Sequence, residues 1–183
     1  MILKPKGQAA PKSNLFYEAE RETLKRLKAL KVNCFSISES NNFKPSENAP
    51  LIHTAGGSYS CPDIIAYQNN KPFFVEVKFR DKTISYNGAE ELAIKESNYF
   101  KYNEIEKATG APVWLAFYYP HESGQAENAT IYLIGINDHP RKWDGTNAKT
   151  GKKITQTKAF YMYDLRHAKH LIFTQKDTIK TFI

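Results

Sequence analysis

One stretch limits what this chain can fold into more than any other: residues 61–80, CPDIIAYQNNKPFFVEVKFR. Two runs rich in β-branched and aromatic residues, 64–67 and 73–79, flank Asn69 and Asn70, a pair that tolerates the positive φ of a tight hairpin turn. The pattern predicts a β-hairpin. With a two-residue loop Gln68 faces Lys71, and counting outward pair by pair sets Asp63 across from Glu76. A four-residue loop keeps that pairing and an odd-length loop breaks it.

Side chains alternate along a strand, so Glu76 and Lys78 share one face while Val75, Val77 and Phe79 take the other, which reads as the core. Asp63, Glu76 and Lys78 thus converge. Like charges directly opposite on neighbouring strands are destabilising, and something must offset them. A divalent cation between the two carboxylates does so, because Mg²⁺ prefers hard oxygen ligands and keeps several waters. A lysine two residues along the strand can orient or help deprotonate such a water, as phosphodiester hydrolysis requires. The plain alternative is a surface hairpin whose charges face solvent.

Pro62 and Asp63, followed after a short hairpin by Glu76, Val77 and Lys78, resemble the signature of the PD-(D/E)XK nucleases, also called the restriction-endonuclease-like fold. The resemblance covers residues 13–119 and rests on three side chains at loose spacing. It implies an α/β restriction-endonuclease-like core, a central mixed β-sheet flanked by helices, and a metal-dependent nuclease. Carried over position by position, Asp63 and Glu76 are metal ligands, Val77 offers its backbone carbonyl, and Lys78 serves the attacking water. Mg²⁺ is the implied ion, with Mn²⁺ as its substitute.

The first helix is expected to start near Ser13 or Asn14 and to run to about Leu30. Phe16, Thr23, Leu24, Leu27 and Leu30 share a face at helical spacing, and Glu20 falls on it too. Glu18 and Glu22 turn toward Lys25 and Arg26 on the wetter side. A carboxylate on the packed face needs a partner, and the metal site is one. The segment Ala19-Glu20-Arg21-Glu22 is similar to the first-helix motif of the archaeal Holliday-junction resolvases, which implies that Glu20 helps bind metal. Otherwise Glu20 is a helix-edge residue paired with Arg21 or Lys25.

A short strand is expected over 32–38, then a Ser-, Asn-, Glu- and Pro-rich loop over 36–50, then a brief extended piece at 51–53. Thr83 to Ile94 is ambiguous around a turn at Asn87-Gly88. The spacing predicts a helix over 95–109, stopped by Gly110 and Pro112, with Asn98, Tyr102, Ile105 and Ala108 on one face. Asn98 and Tyr102 resemble the Gln-x-x-x-Tyr element of some family members, with Asn in place of Gln; core packing is the simpler account of the tyrosine. The apolar run 113–119 reads as a strand buried on both faces, and 130–136 as a further strand. A last strand is expected over 159–163, and a short helical or extended piece over 165–172. His53, in a loop, carries little weight, and His167 and His170 read as surface residues.

Charge bears on partners. The chain carries a formal net charge of +7 and a pI near 9.2, which favours a polyanion. Arg80 and Lys82 extend the positive charge past Lys78. From 138 to 158 the chain has little apolar periodicity but holds Lys142, Lys149, Lys152, Lys153 and Trp143, which suits a nucleic-acid clamp: lysines release counterions from phosphates and an indole stacks on a base. Residues 1–12 read as a flexible basic arm, and 13–183 as a single nuclease domain with a basic insertion at 138–158. Cys34 and Cys61 form no close-spaced zinc motif and are expected as reduced thiols. No apolar run suggests a signal peptide or a membrane span, so a cytoplasmic location is expected.

The sequence therefore reads as a Mg²⁺-dependent DNA endonuclease, and the resolvase resemblance implies structure-specific cutting of paired strands by a homodimer. Little in the sequence separates DNA from RNA, and single-stranded, duplex, branched and base-specific cutting are all left open. Two rivals stand beside it: a non-catalytic nucleic-acid-binding protein on the same fold, and an RNA-directed nuclease in defence or counter-defence.

Overall fold

A computed structural model describes residues 13–37, 50–86, 88–143 and 159–170. The basic arm over 1–12, most of the polar loop over 36–50, and Lys149, Lys152 and Lys153 lie outside the described residues. In chain order the elements are α1 (Ser13–Ala29), β1 (Asn33–Ser36), β2 (Leu51–Thr54), β3 (Gly57–Ser60), β4 (Ile64–Gln68), β5 (Lys71–Phe79), β6 (Ile84–Tyr86) and β7 (Ala89–Lys95). There follow α2 (Glu96–Thr109), β8 (Val113–Tyr119), β9 (Thr130–Gly135), β10 (Arg141–Trp143), β11 (Phe160–Asp164) and β12 (Lys169–His170). No helix among the described residues is long and apolar enough to cross a membrane.

The central layer is a mixed six-stranded sheet in the order β1-β4-β5-β8-β9-β12. Its β5–β8 pair is parallel and its other pairs antiparallel. The parallel pair requires a crossover, which β6, β7 and α2 supply. Asn69 and Asn70 both adopt positive φ, 52° and 64°, as a two-residue hairpin turn demands, and they place Gln68 against Lys71 and Ile64 against Val75. The α2 helix stops at Gly110, whose φ of 66° lets its N–H reach the Glu106 carbonyl.

Both faces of the central sheet are covered. On one, Leu24 and Leu27 of α1 pack with Val75, Val77, Ala116 and Leu133. On the other, Tyr102 and Ile105 of α2 pack with Phe74, Leu115 and Phe117, joined by Leu92, Ile94 and Tyr163 from a second, antiparallel sheet in the order β10-β11-β7-β6. The expectation of a single core face on β5 is thereby corrected. As an interior strand β5 is apolar-packed on both sides, and Glu76 points into the second layer with only 8% of its surface exposed.

Three further expectations change. Within the ambiguous stretch 83–94 the described residues are mostly strand: β6 and β7 pair antiparallel, with Tyr86 opposite Ala89. Arg141, Lys142 and Trp143 are not loop but a strand paired to β11, which pairs in turn to β7; Trp143 packs on Phe160. Last, Glu22 and Arg26 are buried rather than wet. The Arg26 guanidinium binds Glu22 at 3.0 Å and donates to the carbonyls of Glu127 and Ala129, more than a hundred residues away in sequence, at 3.1 and 2.7 Å. Those carbonyls sit in a tight turn after β8, and a forked cation from α1 satisfies them.

Removing one member of a buried, hydrogen-bonded ion pair leaves the other uncompensated. Arg26→Ala is expected to lower unfolding stability by about 3 kcal/mol, measured by urea titration. A loss below about 1 kcal/mol would mean that the clamp between α1 and the 126–129 turn holds little.

Candidate active site

The site forms where β4 begins and β5 runs on past it. The ladder between them closes at Ile64 and Val75, and Asp63 lies one residue before β4. Its backbone carbonyl accepts from the Ile37 N–H at 2.9 Å, which fixes it to the end of β1. Its side chain accepts from the Val77 N–H at 2.7 Å, taking the place that a longer β4 would have filled. On an antiparallel strand the N–H and C=O of one residue point the same way, so the Val77 carbonyl opens onto the same gap.

Glu76 projects from β5 toward α2. Its carboxylate lies 2.5 Å from the Lys78 ammonium, and Lys78 also donates to the Tyr102 hydroxyl at 3.1 Å. The ammonium stands 5.3 Å from the centre of the Tyr102 ring. Tyr102 thus serves two ends: its ring is core, its hydroxyl lies in the site. Burial first, and then Glu76, push its phenol well above the ordinary range.

Burial and then the Glu76 charge push Asp63 up to about 8; the Val77 N–H and Lys78 oppose the rise, and Glu20 adds to it. This is the behaviour of a carboxylate taken out of water beside a second one. Glu20 itself accepts a hydrogen bond from Ser36 Oγ at the end of β1.

The structure therefore gathers Asp63, Glu76, Lys78, Val77 and Tyr102, with Glu20 close enough to act on Asp63 through its charge. Among the described residues it does not bring in Arg80, Lys82 or Lys142. Arg80 folds back, donating to the Phe79 and Ala93 carbonyls at 2.8 and 3.1 Å over the Phe117 ring, and burial lowers its pKa. Lys82 is exposed beyond β5. Lys142 pairs with Glu96 at 2.6 Å, and the neighbouring Arg141 binds Glu91. His53 is exposed and bonded to Ser58.

Two groups beside the site were not singled out in the sequence. Lys101 on α2 donates to Ser60 Oγ at 2.7 Å and feels the charges of Glu76, Lys78 and Asp63. The Cys61 thiol, between Ser60 and Pro62, is pushed up to about 11 by burial. A signal for Lys101 existed: it lies three residues after Asn98 and so beside the face that Asn98, Tyr102 and Ile105 define.

As donors to a cation, the residues of the gap offer two carboxylates and a carbonyl, all hard oxygen, and a cation there would relieve the repulsion that raises Asp63. That chemistry fits Mg²⁺ or Mn²⁺. Among the described residues no three His, Cys, Asp or Glu side chains converge as a metal-binding group, so waters would complete any shell.

No family model matches the chain, and no curated protein matches it. Among solved structures it is similar to Hjc, a Holliday junction resolvase of the archaeal hyperthermophile Archaeoglobus fulgidus, with a TM-score of 0.47 and 15% identity over 81% of this chain and 83% of that one.

The raised Asp63 pKa makes stability depend on pH. Between the ordinary carboxylate value of 3.8 and about 8 the folded chain holds a proton that the unfolded chain has released, so raising pH through that window weakens the fold. With EDTA present, Tm is expected to fall more steeply from pH 4 to pH 8 in the unaltered chain than in Asp63→Asn. Equal slopes would show that Asp63 ionises as an ordinary carboxylate.

Proposed function

We propose that this chain is a divalent-metal-dependent endonuclease that hydrolyses phosphodiester bonds in DNA. The observation that carries the reading is the meeting of Asp63, Glu76 and Lys78 at the open end of the β4–β5 hairpin, with the Val77 N–H and the Tyr102 hydroxyl locking two of them. The order helix, strand, hairpin, helix, strand that the PD-(D/E)XK resemblance implies is the order of α1, β1, β4, β5, α2 and β8.

Hydrolysis forms a bond between a water oxygen and phosphorus and breaks the bond from phosphorus to the departing sugar oxygen. The attacking water must be aimed in line with that oxygen and give up a proton, and the departing oxygen must gain one. Asp63, Glu76 and the Val77 carbonyl would hold Mg²⁺, which supplies a Lewis acid and acidifies bound water. Lys78, steadied by Tyr102, orients the water. Glu20 of α1, which accepts a hydrogen bond from Ser36 at the end of β1, would support the metal directly or through a water. Lys82, exposed just past β5, and Lys142, exposed at the rim of the second sheet, suit contacts with the phosphate backbone, and Trp143 beside Lys142 suits stacking on a base. On this reading two copies act together when both strands of a duplex or junction are cut.

The test is incubation of the chain with plasmid, branched DNA and RNA, in Mg²⁺ or in EDTA, beside Glu76→Ala and Lys78→Met. Cutting of DNA is expected in Mg²⁺, none with Glu76→Ala or EDTA, and a rate lower by roughly 100-fold with Lys78→Met. Cutting that survives both EDTA and the Glu76 substitution refutes the assignment. Binding without cutting points to a non-catalytic nucleic-acid-binding protein, and cutting confined to RNA to the RNA-directed alternative.

A further inference from the structure

Two lysines, not one, stand at Tyr102. Lys78 reaches its hydroxyl, and the Lys101 ammonium lies 4.9 Å from the centre of the same ring. Their partners differ in kind. Lys78 is held by the Glu76 carboxylate at 2.5 Å, whereas Lys101 rests on a neutral hydroxyl, Ser60 Oγ, at 2.7 Å. Taking Lys78 away from Glu76 breaks a partly buried ion pair, while moving Lys101 from Ser60 to an anion replaces a neutral acceptor with a charged one, which makes a stronger hydrogen bond.

We propose that Lys101 is a phosphate-binding residue of the site, exchanging Ser60 for a non-bridging oxygen of the phosphodiester and so holding the substrate while Lys78 stays with the water. The assignment rests on the nuclease reading and deepens it. Three features support it beyond distance. Lys101 sits on a helix packed into the core through Tyr102 and Ile105, so its backbone is fixed and only its side chain need move. The Tyr102 ring face stabilises the ammonium in either position. Burial lowers its pKa, and Glu76 leads the groups that hold its proton in place, so the same carboxylates that repel a phosphate keep beside them a cation that attracts one.

The test is binding of a short blunt DNA duplex in EDTA, where cutting is blocked, across a salt series. For Lys101→Gln the affinity is expected to fall roughly tenfold. The slope of log affinity against log salt is expected to shrink by about 0.9, one phosphate contact. Lys101→Arg keeps the slope. Ser60→Ala removes the resting partner and leaves the charge, so affinity is expected to hold or rise; a fall as large as that of Lys101→Gln would make the pair structural and overturn the proposal. An unchanged slope in Lys101→Gln overturns it as well, as does failure of the unaltered chain to bind. Cutting in Mg²⁺ is scored separately: a chain that binds with the full slope and never cuts refutes the nuclease reading and leaves the Lys101 contact standing.

Discussion

Because the β4–β5 ladder stops at Ile64 and Val75 while β5 runs on to Phe79, two carboxylates come to lie close together under a helix, largely out of solvent. A low-dielectric setting magnifies their repulsion. The protein meets it with the groups nearest to hand: a backbone N–H for Asp63, an ammonium for Glu76, and a hydroxyl to steady that ammonium. Each of these helpers depends on a different part of the fold. The N–H is available because β5 outruns its partner, the ammonium because side chains two apart on a strand share a face, and the hydroxyl because α2 lies across that face.

The second sheet makes this arrangement possible. If the Glu76 side of β5 faced solvent, the same charges would be hydrated and weakly coupled. Leu92, Ile94 and Tyr163 extend the apolar layer around α2, and that layer keeps Tyr102 and Glu76 buried. Positive charge near the second sheet is largely spoken for: Arg80 by carbonyls, Arg141 by Glu91, Lys142 by Glu96. The surplus cations counted from composition are thus not interchangeable.

Local chemistry made much of this legible. Two asparagines set the hairpin register, Gly110 and Pro112 closed α2, and the unbroken apolar run of β8 announced an interior strand. From the register alone, Asp63 and Glu76 fell together. What stayed hidden were contacts that local spacing does not encode. Arg26 reads as a surface partner for Glu22 until the turn at 126–129 arrives with carbonyls to satisfy. Arg141 to Trp143 read as a basic loop because β10 is too short for its alternation to show, and its partner strand lies beyond residue 158. Lys101 drew no reading of its own, since Ser60 meets it only from 41 positions earlier in the chain.

Among the described residues the rims of the central sheet are short. At one side β1 spans Asn33–Ser36; at the other β12 spans Lys169–His170 and carries a charge. Strands so brief, with a lysine at one border, make a poor template for another backbone. A second copy, or any extended peptide, would gain few main-chain bonds by lying alongside them. Along these described edges, a partner is met through side chains and shape more readily than through an added strand.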